Sequence, residues 1–137
     1  MKNTKKLLLI VGVLILIVAI FIYCPKKVSF KKSNISEIVY VDWQNEYYGN
    51  IDPEYFEELV TSINHAWAFT RIATQKSAID FRIIISYEDG TEKTMNSVAG
   101  ISGIPFYVYK NTFDFSVCEG MLIQDSIVHG TYKPNPL

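Results

Sequence analysis

Two cysteines and two histidines among 137 residues leave little material for metal or thiol chemistry. Cys24 closes an apolar run and Cys118 lies far along the chain, so no disulfide framework is implied. CxxC and HExxH do not occur, and neither His65 nor His129 has a second ligand-type residue at metal-binding spacing. No metal and no cofactor is expected. GxSxG, Walker A and GxGxxG patterns are missing as well; the Gly100 to Gly103 stretch lacks the strand and helix context that phosphate binding needs. Basic residues are scarce beyond residue 33: six stand there against all 14 acids of the chain, a net of −8. Nucleic-acid binding, which requires clustered positive charge, is disfavoured, and no nucleic-acid partner is expected. There is no internal repeat and no low-complexity tract, and the length leaves room for one small core.

What the chain does hold is one long apolar run. Residues 7–24 are uncharged, and 17 of these 18 are apolar. As a helix they reach roughly 27 Å at 1.5 Å per residue, close to the thickness of a bilayer's hydrocarbon core. Lys2, Lys5 and Lys6 precede the run, and Lys26 and Lys27, then Lys31 and Lys32, follow it. The rings of Phe21 and Tyr23 sit at its end, where aromatics favour the interface. A buried core helix is the blander reading, but a helix apolar all round must be enclosed on every side, which a body this small can hardly do. Signal-peptide cleavage wants small residues where Phe21, Ile22 and Tyr23 stand, and lipidation at Cys24 wants one in place of Tyr23. We therefore expect a retained anchor through residues 7–24, with cleavage as its competitor. The positive-inside count does not decide orientation; the short basic tail directly before the run favours a body outside the cell membrane.

The expected organisation is a basic tail (1–6), a transmembrane helix (7–24), a basic juxtamembrane linker (25–34), an extracytoplasmic domain (35–130) and a tail (131–137). Residues 35–43 read as a strand apolar on both faces, and residues 44–50 break that pattern. Asp52 followed by Pro53 starts a helix, Asp52 capping free amides and Pro53 supplying the fixed φ of the first position. Phe56, Leu59, Val60, Ile63 and Trp67 then recur at steps of three and four, so the amphipathic helix is expected to reach about residue 69. Residues 79–87 alternate as a half-buried strand, and Glu88 to Thr91 turns it into a hairpin returning over 91–98. A second hairpin is expected between 104–109 and 112–115, across Lys110 and Asn111. Ser116 to Glu119 fits a capping box before a short closing helix, with a final strand as the alternative. The fold class is thus α+β: an N-terminal single transmembrane helix, then a small domain with a mostly antiparallel sheet and one packed amphipathic helix.

The order of elements, the Tyr87-Glu88-Asp89-Gly90-Thr91 turn after an Ile-rich strand, and the preceding anchor resemble small membrane-anchored extracytoplasmic domains of Gram-positive bacteria, the YhfM-like group among them. The resemblance spans roughly residues 35–128. It implies location and fold, and carries no site residue over.

No catalytic residue is assigned. Cys118 and His129 could form a nucleophile and base, since a thiolate near a helix start is activated; the favoured reading of Cys118 is a small buried residue, the usual fate of a lone cysteine. The acidic pairs Glu57-Glu58 and Glu88-Asp89 read as a solvated helix face and a turn. Aromatics are in surplus at 14%. Trp43, Tyr47 and Tyr48 lie in a turn-rich stretch among amides and an acid, the usual material of a protein or glycan contact. Tyr107 and Tyr109 share one strand face and offer a second surface. In the blander reading, Trp43 ends a strand in the core, while Tyr47 and Tyr48 cover the helix start. The leading expectation is a non-enzymatic binding or regulatory module engaging a protein or envelope component. A membrane-anchored immunity or inhibitor protein, its acidic body steering a basic target, is the alternative, and a small hydrolase the third.

Overall fold

The computed structural model describes residues 2–72, 80–100 and 107–133; the side chains of residues 22, 23, 71, 72, 99, 100 and 107–109 are not among those described. Helix α1 spans Lys2–Tyr23. None of its residues from Lys2 to Phe21 is buried against the body, and the stretch is long and apolar enough to cross a membrane. Length and composition alone suit a single-pass anchor and a signal sequence equally.

The body is α+β, as the periodicities imply, but it holds two antiparallel sheets rather than one. Strands β1 (Lys26–Lys27), β4 (Trp67–Ile72), β8 (Tyr107–Asn111) and β7 (Val98–Gly100) form a four-stranded sheet in the order β1-β4-β8-β7. Strands β6 (Glu92–Asn96), β5 (Phe81–Tyr87), β2 (Ile35–Asp42), β3 (Tyr47–Asn50) and β9 (Val128–His129) form a five-stranded sheet in that order. β6 runs into β7 through Ser97, so one stretch of chain passes from sheet to sheet. That corner is pinned: Asp80 N–H and Phe81 N–H donate to Ser97 Oγ at 3.1 and 3.2 Å, and Ser97 N–H donates to the Phe81 carbonyl at 3.0 Å.

β2 is central because both its faces are apolar. Ile38 and Tyr40 point to one side with Ile83 and Ile85 of β5, and α2 (Phe56–Asn64) closes over them with Leu59, Val60 and Ile63. All seven are fully buried. Gly90 takes φ +86° in the turn between β5 and β6, the left-handed conformation that glycine adopts without a Cβ penalty. Asp52 accepts from Glu54 N–H at 3.0 Å and Pro53 opens a 3-10 turn, Pro53–Tyr55, leading into α2.

Several expected boundaries move. The segment expected as a basic juxtamembrane linker, residues 25–34, is docked on the body. β1 pairs with β4, Val28 N–H donates to the Ala66 carbonyl at 3.2 Å, and Val28 and Phe30 pack against the core. Helix α2 stops at Asn64, because its side chain bonds both backbone groups of Phe30: Oδ1 accepts from Phe30 N–H at 2.7 Å, and Nδ2 donates to the Phe30 carbonyl at 3.0 Å. The next residues leave the helix for β4, so Trp67 lies on a strand and is 44% exposed, not on the helix's core face.

Residues 47–50, expected to be irregular, form β3. The Asp42 carboxylate turns the chain by accepting from Asn45 N–H at 3.0 Å and from Asn45 Nδ2 at 2.9 Å, while Glu46 takes φ +53°. Of the expected second hairpin, residues 104–106 lie outside the described residues; where its turn was expected, β8 continues through Lys110 and Asn111 and pairs with β4 and β7, and residues 112–114 are not a strand. Asp114, not Ser116, caps the following 3-10 helix, Phe115–Met121, by accepting from Ser116 N–H at 3.1 Å. A second 3-10 turn, Gln124–Ser126, and the two-residue β9 replace the closing helix.

Candidate functional site

Residues directly opposite in an antiparallel pair share a face. Tyr48 and Arg82 both oppose Val41, from β3 and β5; Asn50 and Ile84 both oppose Val39. These side chains line the face of the five-stranded sheet turned away from α2. Trp43 follows at the end of β2, and Arg82 holds it: the guanidinium carbon lies 4.9 Å from the ring centroid, within cation–π reach. Arg82 Nε also donates to Asn96 Oδ1 at 2.6 Å, which fixes the plane of the guanidinium. At the other margin, Asn50 Nδ2 donates to Glu37 Oε1 at 3.0 Å.

One residue from the C-terminal segment completes this face. The Tyr132 ring stands edge-on to Tyr48, with centroids 5.2 Å apart and planes at 73°. Burial is the main cause raising its hydroxyl's pKa, Glu92 and Glu37 add to that, and Arg82 opposes it. The hydroxyl therefore sits among charges from β6, β2 and β5. Trp43, Tyr48, Arg82 and Tyr132 are all half-buried, presenting flat rings beside a cation, carboxylates and amides.

The candidate aromatics do not form one surface. Trp43 and Tyr48 lie on the outer face, whereas Tyr47 opposes Asp42 and points to the α2 side. Its ring is 6.1 Å from that of Tyr40 and 6.3 Å from that of His129. Its hydroxyl donates to Glu119 Oε1 at 3.3 Å, and burial followed by the Glu119 charge pushes its pKa up to about 12. Tyr107 and Tyr109 belong to β8, in the other sheet, and their side chains lie outside the described residues. Of the lysines expected to flank a membrane, Lys2, Lys5 and Lys6 are exposed on the first turns of α1, and Lys26 and Lys27 are exposed on β1. Sequence reasoning missed Arg82, Asn50 and Tyr132. Arg82 was discoverable as the basic residue on the wet side of an alternating strand; nothing local marks Tyr132.

A cleft of about 590 Å³ lies near the Ser97 corner, floored by Phe81, Phe113 and Phe115 and bordered by Asp80, Asp114 and Lys110. Phe81 and Phe115 stack at 5.5 Å. Asp114 is occupied as a cap, and bonds from the Ser116 hydroxyl and amide hold its carboxyl below the usual range, so it has no proton to donate at neutral pH. Cys118 is fully buried; burial, then the charges of Asp114 and Glu119, push its thiol up to about 12, the reverse of an activated nucleophile. Among the described residues, no group of three or more His, Cys, Asp or Glu could hold a metal ion.

Comparison of the chain with protein-family models, with curated proteins and with solved structures gives no match.

Proposed function

We propose that this chain is a single-pass membrane-anchored protein whose extracytoplasmic body is a non-enzymatic binding module, with the outer face of the five-stranded sheet as its contact surface. The observation that carries this reading is the aromatic and polar set on that face. Arg82 is stacked on Trp43 and Tyr132 stands on Tyr48, with Glu37 and Asn50 alongside. Rings held by neighbours lose little conformational freedom on binding, and Trp, Tyr and Arg are the residues in which protein contacts concentrate their energy. A protein partner or an envelope component fits such a surface. α1 keeps the body at the membrane, in keeping with the resemblance to small extracytoplasmic domains.

The test is crosslinking and pull-down of the full chain from detergent-solubilised membranes. It compares the wild type with Trp43→Ala and Tyr48→Ala, using Tyr47→Phe as a control on the opposite side. Selective loss of the same partner in both alanine variants, with the control unaffected, supports the surface. Retention of every partner by both variants overturns it. A reporter fused after residue 137 reads the orientation. If capture weakens steeply with added salt, the partner is basic and the immunity or inhibitor reading gains, because the body carries a net of −8.

A further inference from the structure

The four-stranded sheet carries a second exposed surface, built differently from the first. Trp67 and Phe69 are 44% and 42% exposed, and they alternate with the half-buried Ala68 and Thr70, so both project from one face of β4. Lys27 directly opposes Trp67, and Lys110 directly opposes Phe69. Both lysines are exposed. The face therefore presents two large rings flanked by two cations, and the carboxylates Asp80 and Asp114 border the cleft that Lys110 also lines.

Connectivity says where this face lies. Lys26 follows the end of α1 at Tyr23 by three residues, at most about 10 Å of chain. β4 pairs with β1 in antiparallel fashion, Ala68 opposite Lys26, so the residues after Ala68 run back toward the end of the helix, and α1 touches β4. A strand tied this closely to a transmembrane helix has no freedom to leave the headgroup layer. Aromatic rings and lysines are the side chains that this layer favours, the rings for their amphipathic character and the lysines for anionic lipid.

We propose that the Lys27, Trp67, Phe69 and Lys110 face of the four-stranded sheet docks on the headgroup layer of the bilayer that holds α1. The docking orients the body and leaves the five-stranded sheet's outer face for its partner. The proposal rests on the reading of α1 as a retained anchor.

The chain has two tryptophans, Trp43 and Trp67, which supply the test. The full chain is reconstituted in phosphatidylcholine and phosphatidylglycerol vesicles containing lipid brominated near the headgroup end of its acyl chains. In Trp43→Phe, the remaining Trp67 should emit blue-shifted light and lose most of its intensity to bromine. In Trp67→Phe, the remaining Trp43 should keep its intensity. Protein that withstands alkaline carbonate washing while Trp67 stays unquenched overturns the docking and spares the anchor. Release by carbonate overturns the anchor and the docking together. Shielding of Trp67 that vanishes when the protein is diluted in lipid assigns the face to a second copy, and also overturns the proposal.

Discussion

Replacing Tyr40 by phenylalanine should stabilise the protein by about 1 kcal/mol, against the ordinary expectation that removing a polar group from a core does harm. Tyr40 is fully buried between β2 and α2, and its hydroxyl has no hydrogen-bond partner among the described residues. A buried polar group left unsatisfied costs about 1–3 kcal/mol. The Tyr47 hydroxyl lies close enough to that of Tyr40 to interact weakly with it but donates its proton to Glu119, so we take the lower end of that range. The ring itself is well placed, stacked at 6.3 Å on Phe81 and edge-on to Tyr47 at 6.1 Å, and phenylalanine keeps both contacts. For a body near 100 residues, 1 kcal/mol corresponds to a rise in Tm of about 4 °C. The assay is urea unfolding of the full chain in mild detergent, followed by tryptophan fluorescence, with a thermal melt beside it. A fall in the urea midpoint would refute the reasoning, because it would show the hydroxyl bonded in solution, through Tyr47 or through water.

Three further outcomes follow from the same core and its cap. Stability should hold to about pH 8 and then decline as pH rises, because the Cys118 thiol and the Tyr47 hydroxyl are both pushed up to about 12 in the fold and lose their protons earlier in the unfolded chain. Cys118 sets the first limb, up to about 1.4 kcal/mol per pH unit above its unfolded pKa, and Cys118→Ala should flatten that limb in urea midpoints measured from pH 7 to 10. Iodoacetamide at neutral pH should label the exposed Cys24 and spare the buried Cys118 until denaturant is added, as peptide mapping would show. Asp52→Ala removes the acceptor for Glu54 N–H and should cost about 1 kcal/mol, with Asp52→Asn retaining most of the wild-type urea midpoint.

The parts of the fold readable from sequence are those whose cause is local. The apolar run of α1, the doubly apolar β2, the alternation of β5, the Gly90 turn and the Asp52-Pro53 start each follow from a few consecutive residues. The end of α2 does not, because Asn64 stops the helix by bonding Phe30, a residue 34 positions earlier. β4 is hidden for the same reason: Trp67 falls on the helical period, and only pairing with Lys27 and with β8 draws it into a strand. At the candidate site, the Trp43 and Tyr48 aromatics were visible as a cluster. Their separation from Tyr47 depended on the register of β3 against β2, where a shift of one residue exchanges the two faces. Tyr132 was beyond reach, since a single ring in a tail carries no period.

Ser97 is where the chain passes from one sheet to the other. The backbone crosses there from β6 to β7 while its side chain and amide bind Asp80 and Phe81 at the start of β5, and the Asn111 side chain of β8 donates to the Asn96 carbonyl of β6, so the sheets cannot part without breaking a hydrogen bond between them. The two sheets should then exchange their amide hydrogens as one unit rather than as separately opening layers. The same stretch of chain leads to the Trp43 and Arg82 face, because Arg82 Nε donates to the side chain of Asn96, the residue before Ser97.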